Sequence, residues 1–342
     1  MRLKQLMAAA AFTVLGTIAV NGTARSDDVG TQDPGAAPYE QALKGKKVVL
    51  IPMAMGFDLA QGWAAYLKHE VEAWGGTFET RDPDWKTDVQ AQAISDIING
   101  DQKPDVLVIH SPDMNSFSKT LKKAQSLGIY VVLVDNPMSF PADAFVGSNW
   151  YHLGQLEAGA AVDACKGKSG KVGLVQGDAA NASSIYQYNG IMQVLKQHSD
   201  IKVVAEPFSN WDPTQSRTVT TTMLQQNPDV CSIIDFWDGD ATGASAAIKD
   251  AKLDGKVALV TTGGGETVDC KALEDGTFYA VVMTELAGQS RDMNAVIKFL
   301  LQSGQKPGSS KTYIYTLEKA TTKADLKPDT CWDVKQLQAG QF

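Results

Sequence analysis

Two acids stand where apolar strand signals run out. Val131 to Val134 leads straight into Asp135-Asn136, and Cys231 to Phe236 leads into Trp237-Asp238. A carboxylate just past a buried strand can accept hydrogen bonds from two hydroxyls at once, and charge-assisted bonds are about twice as strong as neutral ones. Such an aspartate is equally suited to capping the next helix. The neighbouring indole offers a flat apolar face with a polar edge, which suits the C–H face of a small hydroxylated molecule. Two such pairs in two similar halves predict a small polar guest held between the halves. Ser111 and Asp113 follow another strand signal, and Ser148 and Asn149 sit at the connector between the halves. All four can donate or accept, although surface turns are rich in the same residue types. Trp211 and Trp150 are further candidates to line the gap, whereas Trp63, Trp74 and Trp332 read as packing.

The elements that must position these residues alternate. Strands are predicted at Val48 to Ile51, Val106 to Ile109, Val131 to Val134, Val172 to Val175, Ile201 to Ala205, Ser232 to Phe236, Val257 to Val260 and Tyr279 to Met283. Between them, Trp63, Leu67 and Val71, then Val89, Ala93 and Ile97, then Phe117, Leu121 and Ala124 fall at helical spacing. The second half repeats the scheme with Ile191, Val194 and Leu195, then Val219, Met223 and Leu224. Strand and helix in alternation, with continuous apolar strands, indicate an α/β chain of parallel sheets covered on both faces.

Composition limits the function. The 342 residues are enough for two domains, and 44% hydrophobic with 20% charged content is that of a globular protein. A formal net charge of −8 without a basic run argues against nucleic acid or anionic lipid as partner. Arg2 and Lys4, an apolar stretch from Leu6 to Val20 and then Gly22-Thr23-Ala24 read as an export signal cut after Ala24. The stretch is shorter than the roughly 20 residues a membrane span needs. Residues 25–45 read as a disordered leader. The four cysteines, Cys165, Cys231, Cys270 and Cys331, permit two disulfides in an oxidising compartment, and spacing does not choose among the three pairings. No cofactor is expected: there is no GxGxxG fingerprint, GxxxxGK[ST] loop or GxSxG elbow, and His69, His110, His152 and His198 are scattered without metal-ligand spacing. Gly263-Gly264-Gly265 reads as a βα turn or an anion-binding nest.

The order of motifs carries a resemblance. Pro104 to Asn136, with Ser111-Pro112-Asp113 and VVLVDN, is followed by VGSN at 146–149, GKVGLVQGD at 170–178, Gln187 with Gly190, Trp211-Asp212, and a strand ending before Asp238 with Gly243 beyond. This series resembles periplasmic sugar-binding proteins of the ribose-binding type, over nearly the whole mature chain. The resemblance implies two doubly wound parallel-sheet domains, 46–147 with 286–310 and 150–283 with 314–342, joined by a three-strand hinge crossing near 147–150, 283–286 and 310–314. It implies a ligand cleft between them and the role of a binding component for an ABC importer, with the membrane permease as partner and the chain a monomer. It also places ligand contacts at Phe57 and Asp58, after the first strand. Asn136 and Gln187 stand where that family has arginines, which favours a neutral ligand, a monosaccharide or polyol. Trp237 replaces an asparagine while Gly264 replaces a phenylalanine, so the aromatic wall is predicted to have moved from one loop to the other. Met283 stands where a glutamine is common. The alternatives are a ligand sensor for a chemoreceptor and an exported enzyme acting on a sugar.

Overall fold

The computed structural model describes residues 33–342. The export signal expected at 1–24 lies outside them. In chain order the first half runs α1 (Ala36–Leu43), β1 (Lys47–Ile51), α2 (Asp58–Ala73), β2 (Thr77–Thr80), α3 (Thr87–Asn99), β3 (Val106–Ile109), α4 (Ser118–Ser126), β4 (Tyr130–Val134) and β5 (Ala144–Ser148). The second half runs α5 (Trp150–Cys165), β6 (Lys171–Val175), α6 (Ala182–Leu195), β7 (Lys202–Ala205), α7 (Pro213–Gln226), β8 (Ser232–Asp235), α8 (Asp238–Asp250), β9 (Ala258–Gly263), α9 (Thr267–Asp275) and β10 (Ala280–Thr284). Then follow α10 (Leu286–Gln302), β11 (Thr312–Thr316), β12 (Glu318–Thr322) and α11 (Val334–Gln338).

Two six-stranded sheets result, in the orders β11-β5-β4-β3-β1-β2 and β12-β10-β9-β8-β6-β7. The first is parallel throughout, and the second is parallel except for β12, which runs antiparallel to β10. The strand side chains alternate between two cores. In β1, Val48 and Leu50 join the cluster under α2 and α10, while Val49 and Ile51 join the one under α3 and α4. Fully burying each such side chain stabilises by roughly 1.5–3 kcal/mol, so runs of valine and isoleucine are what a doubly covered sheet selects.

Two helices differ from the sequence expectation. Residues 36–43 of the expected leader form α1, which packs on α10 and buries Leu43 completely. The fully buried face of α3 is Gln90, Ile94 and Ile98, while of the expected stripe Ala93 and Ile97 pack at its margin and Val89 is exposed. The face is turned by one residue because the Gln90 amide points inward, donating to the carbonyls of Pro52 (3.1 Å) and His110 (2.8 Å) at the ends of β1 and β3. An apolar count alone cannot see that a glutamine is the inward residue.

The chain passes between the sheets after β5, after β10 and at Leu317 between β11 and β12. The third passage therefore falls beyond the 310–314 expected. A fourth follows. Trp332 donates from Nε1 to the Gly264 carbonyl (2.7 Å) in the second domain, and α11 then lies on α2, with Leu337 in the first domain's core and Phe342 against Tyr66 and His69. The tail of 314–342 thus packs on the first domain rather than wholly on the second. The cysteines pair Cys165–Cys231 and Cys270–Cys331, the latter anchoring the start of this tail. No helix among the described residues is long and apolar enough to cross a membrane.

Candidate functional site

Open parallel sheets present their loops at the carboxyl ends of the strands, and the two sheets aim those ends at each other. Between them lies a cavity of about 70 Å³. Its walls come from successive loops: Phe57 after β1, Trp85 after β2, His110 after β3 and Asp135-Asn136 after β4, facing Asn181 after β6, Trp211 after β7, Trp237 after β8 and Gly263 to Glu266 after β9.

The backbone is bent to deliver several of these side chains. Asp84 and Trp85 have φ of 50° and 62°, Asn210 and Trp211 of 55° and 61°, and Asp135 of 64°. Left-handed conformations at residues other than glycine cost of order 1–3 kcal/mol and persist only where the surroundings fix them. Here the surroundings are explicit. Trp85 N–H donates to the Met53 carbonyl (2.9 Å), and Asp82 accepts from the N–H groups of Met55 and Asp84. The Trp211 ring occupies the space over Gly177, where any Cβ would lie 2.1 Å from it. Asp135 donates its N–H to the Val146 carbonyl (2.8 Å) and accepts at its own carbonyl from Trp150 Nε1 (2.7 Å). A Cβ on Gly147 would come within 2.8 Å of the Asp135 Cα, so a glycine is required beside it.

The rings meet across the gap. Trp237 lies 5.8 Å from Trp85, 6.1 Å from Phe57 and 6.4 Å from Trp211, centroid to centroid, in tilted or edge arrangements. Asn181 Nδ2 of the second domain donates to the Pro112 carbonyl of the first (2.9 Å). The two domains are therefore in contact over the cavity.

The electrostatics are those of carboxyls stripped of water. Burial raises the Asp135 pKa to about 7, against a small lowering by the Gln289 amide 3.5 Å away. His110 faces the same carboxyl at 3.5 Å, but burial lowers its pKa to about 3, so the imidazole is neutral and the contact is not an ion pair. Glu266 is pushed up to about 8, by burial first and then by the neighbouring Asp238. Asp238 is likewise raised by burial and then by Asp269, and Asp269 by burial and then by Glu266. These three bring carboxylate oxygens within 4.8 Å of one another, a spacing a hard cation could use. Their raised pKa values show the other way the same repulsion is relieved, by holding protons.

A family model described as a periplasmic binding protein domain matches residues 48–306. The chain belongs to the periplasmic binding protein family. Its two α/β domains are typical of the type I arrangement. It is 30% identical over 206 residues to the D-allose-binding periplasmic protein of Escherichia coli, a match covering 58% of this chain and 63% of that relative. It is 26% identical over 203 residues to the ribose import binding protein of Bacillus subtilis, covering 58% and 64%. Among solved structures, a galactofuranose binding protein superposes with a TM-score of 0.75 at 19% identity, covering 87% of this chain and 100% of that one. A solute binding protein from Mycobacterium smegmatis with bound glycerol superposes at 0.74 with 22% identity, covering 84% and 99%.

In this periplasmic binding protein, Phe57, Asp135, Asn136, Trp150, Trp211, Trp237 and Gly264 line the cavity. The other residues singled out from the sequence stand elsewhere. Gln187 donates from Nε2 to both oxygens of buried Glu157 (2.8 and 3.0 Å), so it ties α6 to α5. Ser111 Oγ donates to the Asp113 carbonyl, and Asp113 accepts from the N–H groups of Asn115 and Ser116 in the turn before α4. Asn149 caps α5 through the His152 N–H, Ser148 is buried at the end of β5, and Met283 packs in the second domain's core. Asp58 begins α2 beside Asp333, and Asp238 sits one layer back against Gly263. Trp85, His110, Asn181 and Glu266 line the cavity without having been singled out. Trp85 had a signal: Asp82-Pro83-Asp84-Trp85 follows β2 as Asn210-Trp211-Asp212 follows β7.

Proposed function

We propose that this protein captures a neutral monosaccharide or polyol between its domains in the periplasm and delivers it to the permease of an ABC importer. The observation that carries this reading is the cavity at the facing carboxyl ends of two sheets, walled by rings and floored by acceptors, in a chain whose family is one of binding proteins. Ligand favours the closed arrangement because only there do Asp135 and Glu266 reach it from opposite sides. Closure is a rotation about the passages after β5, after β10 and at Leu317. The permease reads the closed shape. Micromolar affinity corresponds to roughly −8 kcal/mol, which a few satisfied hydroxyls and stacked rings supply after the costs of association. No bond is made or broken, and the ligand leaves unchanged.

A thermal-shift panel of pentoses, hexoses, polyols and nucleosides on the exported form tests this. A ligand at 100 times its Kd adds about 2.7 kcal/mol of stability, a rise in Tm of several degrees. A panel that moves nothing sinks the reading, and so does mass-spectrometric recovery of a converted product.

A further inference from the structure

The space, its walls and its free polar atoms all point to a small guest. The cavity measures about 70 Å³. An apolar cavity of about 150 Å³ is what benzene fills, and an aldohexose is about twice benzene's size. The present space therefore suits a molecule no larger than benzene.

The walls that set this limit in the closed arrangement are indoles. Trp85 and Trp211 rise from equivalent loops, after β2 in one domain and after β7 in the other, each as the second residue of a left-handed pair. Each lies within 6.4 Å of Trp237, which stands between them. The backbone of the turn that carries Trp85 is hydrogen-bonded to Met53, and the Trp211 ring sits directly over Gly177, so each indole rises from a held base.

The polar demand is equally small. Among the lining residues, the buried side-chain atoms without a protein partner are His110 Nδ1, Asn136 Oδ1, Trp211 Nε1 and Glu266 Oε2. With the Asp135 carboxyl they can satisfy a few hydroxyls. A pyranose carries hydroxyls around its whole rim, and any that turned toward an indole face would be left unpaired.

We propose that the ligand is a short-chain polyol of about two or three carbons, with Trp85 and Trp211 as the residues that exclude sugar rings. The inference rests on the solute-binding reading above and narrows it. The hydroxyls donate to Asp135, Asn136 and Glu266 and accept from the Trp211 indole N–H, while the carbon chain lies against Trp237 and Phe57.

Calorimetric titration of the exported form with ethylene glycol, glycerol, erythritol, ribose and glucose tests it. Ethylene glycol or glycerol is expected to bind at least about tenfold more tightly than ribose or glucose. Trp85→Ala, at a side chain 43% exposed, should reduce that ratio about tenfold by admitting the sugars, and Trp85→Phe should reduce it less. Ribose or glucose binding as tightly as the short polyols overturns the size limit while leaving the solute-binding reading in place. Silence from the whole panel overturns both. If Trp85→Ala does not fold, the ratio measured on the unaltered chain decides the matter alone.

Discussion

The two domains share a strand order and differ in what lies inside them. Each contributes a left-handed tryptophan turn after its edge strand, at Trp85 and at Trp211. The first domain contains no cysteine, and the one acid at its cavity wall is Asp135. The second contains the Cys165–Cys231 and Cys270–Cys331 disulfides and carries Glu157, Asp235, Asp240 and Asp269 buried in its interior. Burial raises the pKa of each, with the carboxyls of Asp235 and Asp240 also repelling one another. A fold of this type therefore tolerates two solutions for its core. One buries few acids, Asp135 and Asp143, and has no disulfide. The other accepts costly polar groups in a domain that disulfides constrain.

The largest test of that contrast is removal of a staple. Cys165 and Cys231 close a loop of 66 residues, and opening it by Cys165→Ala with Cys231→Ala should cost about 4 kcal/mol, confined to the second domain. Urea unfolding followed by tryptophan fluorescence should then split into two transitions, the second domain melting first. A single unchanged transition would show that the domains share one stability.

The next test compares the two sides of the cavity. Asp135→Ala removes the first domain's acceptor and Trp237→Ala the second domain's central ring. Each should weaken ligand binding by about 2 kcal/mol with the fold retained by circular dichroism. Unchanged affinity in both variants would reject the cavity as the binding site.

The smallest test concerns protons. The Glu157 carboxyl is raised from 4.5 to about 8 by burial, so the folded protein keeps this proton after the unfolded chain has lost it. The unfolded state binds fewer protons throughout that window, and stability must fall as pH rises from about 4.5 to about 8. Glu157→Gln should flatten the decline, raising stability at pH 8.5 by on the order of 1–2 kcal/mol relative to pH 5. A Tm profile with the same slope in both proteins would assign the pH dependence elsewhere.

Much of this was legible in the sequence, for a reason that also explains the gaps. Runs such as those of β1, β3 and β4 announce themselves because a doubly covered strand must be apolar on both faces. The edge strand β2, Thr77–Thr80, is half solvated and carries no such run, so it went unread. Asp135 and Trp237 were visible because they directly follow central strands. Trp85 and Glu266 were not, since one follows that unread edge strand and the other hides behind three glycines. Gln187 was drawn to the cavity by its family position, yet a buried carboxyl on α5 claimed its amide. Partners contributed by another helix cannot be inferred from spacing along one.

The tail's return to the first domain has a practical consequence for sensor engineering. A fluorophore fused after Phe342 would ride on the lobe that holds α2, the same lobe as one placed near α1. Energy transfer between those two positions would report almost nothing when the lobes move. A donor grafted on the outer surface of α7, in the other lobe, is the arrangement that converts that motion into light.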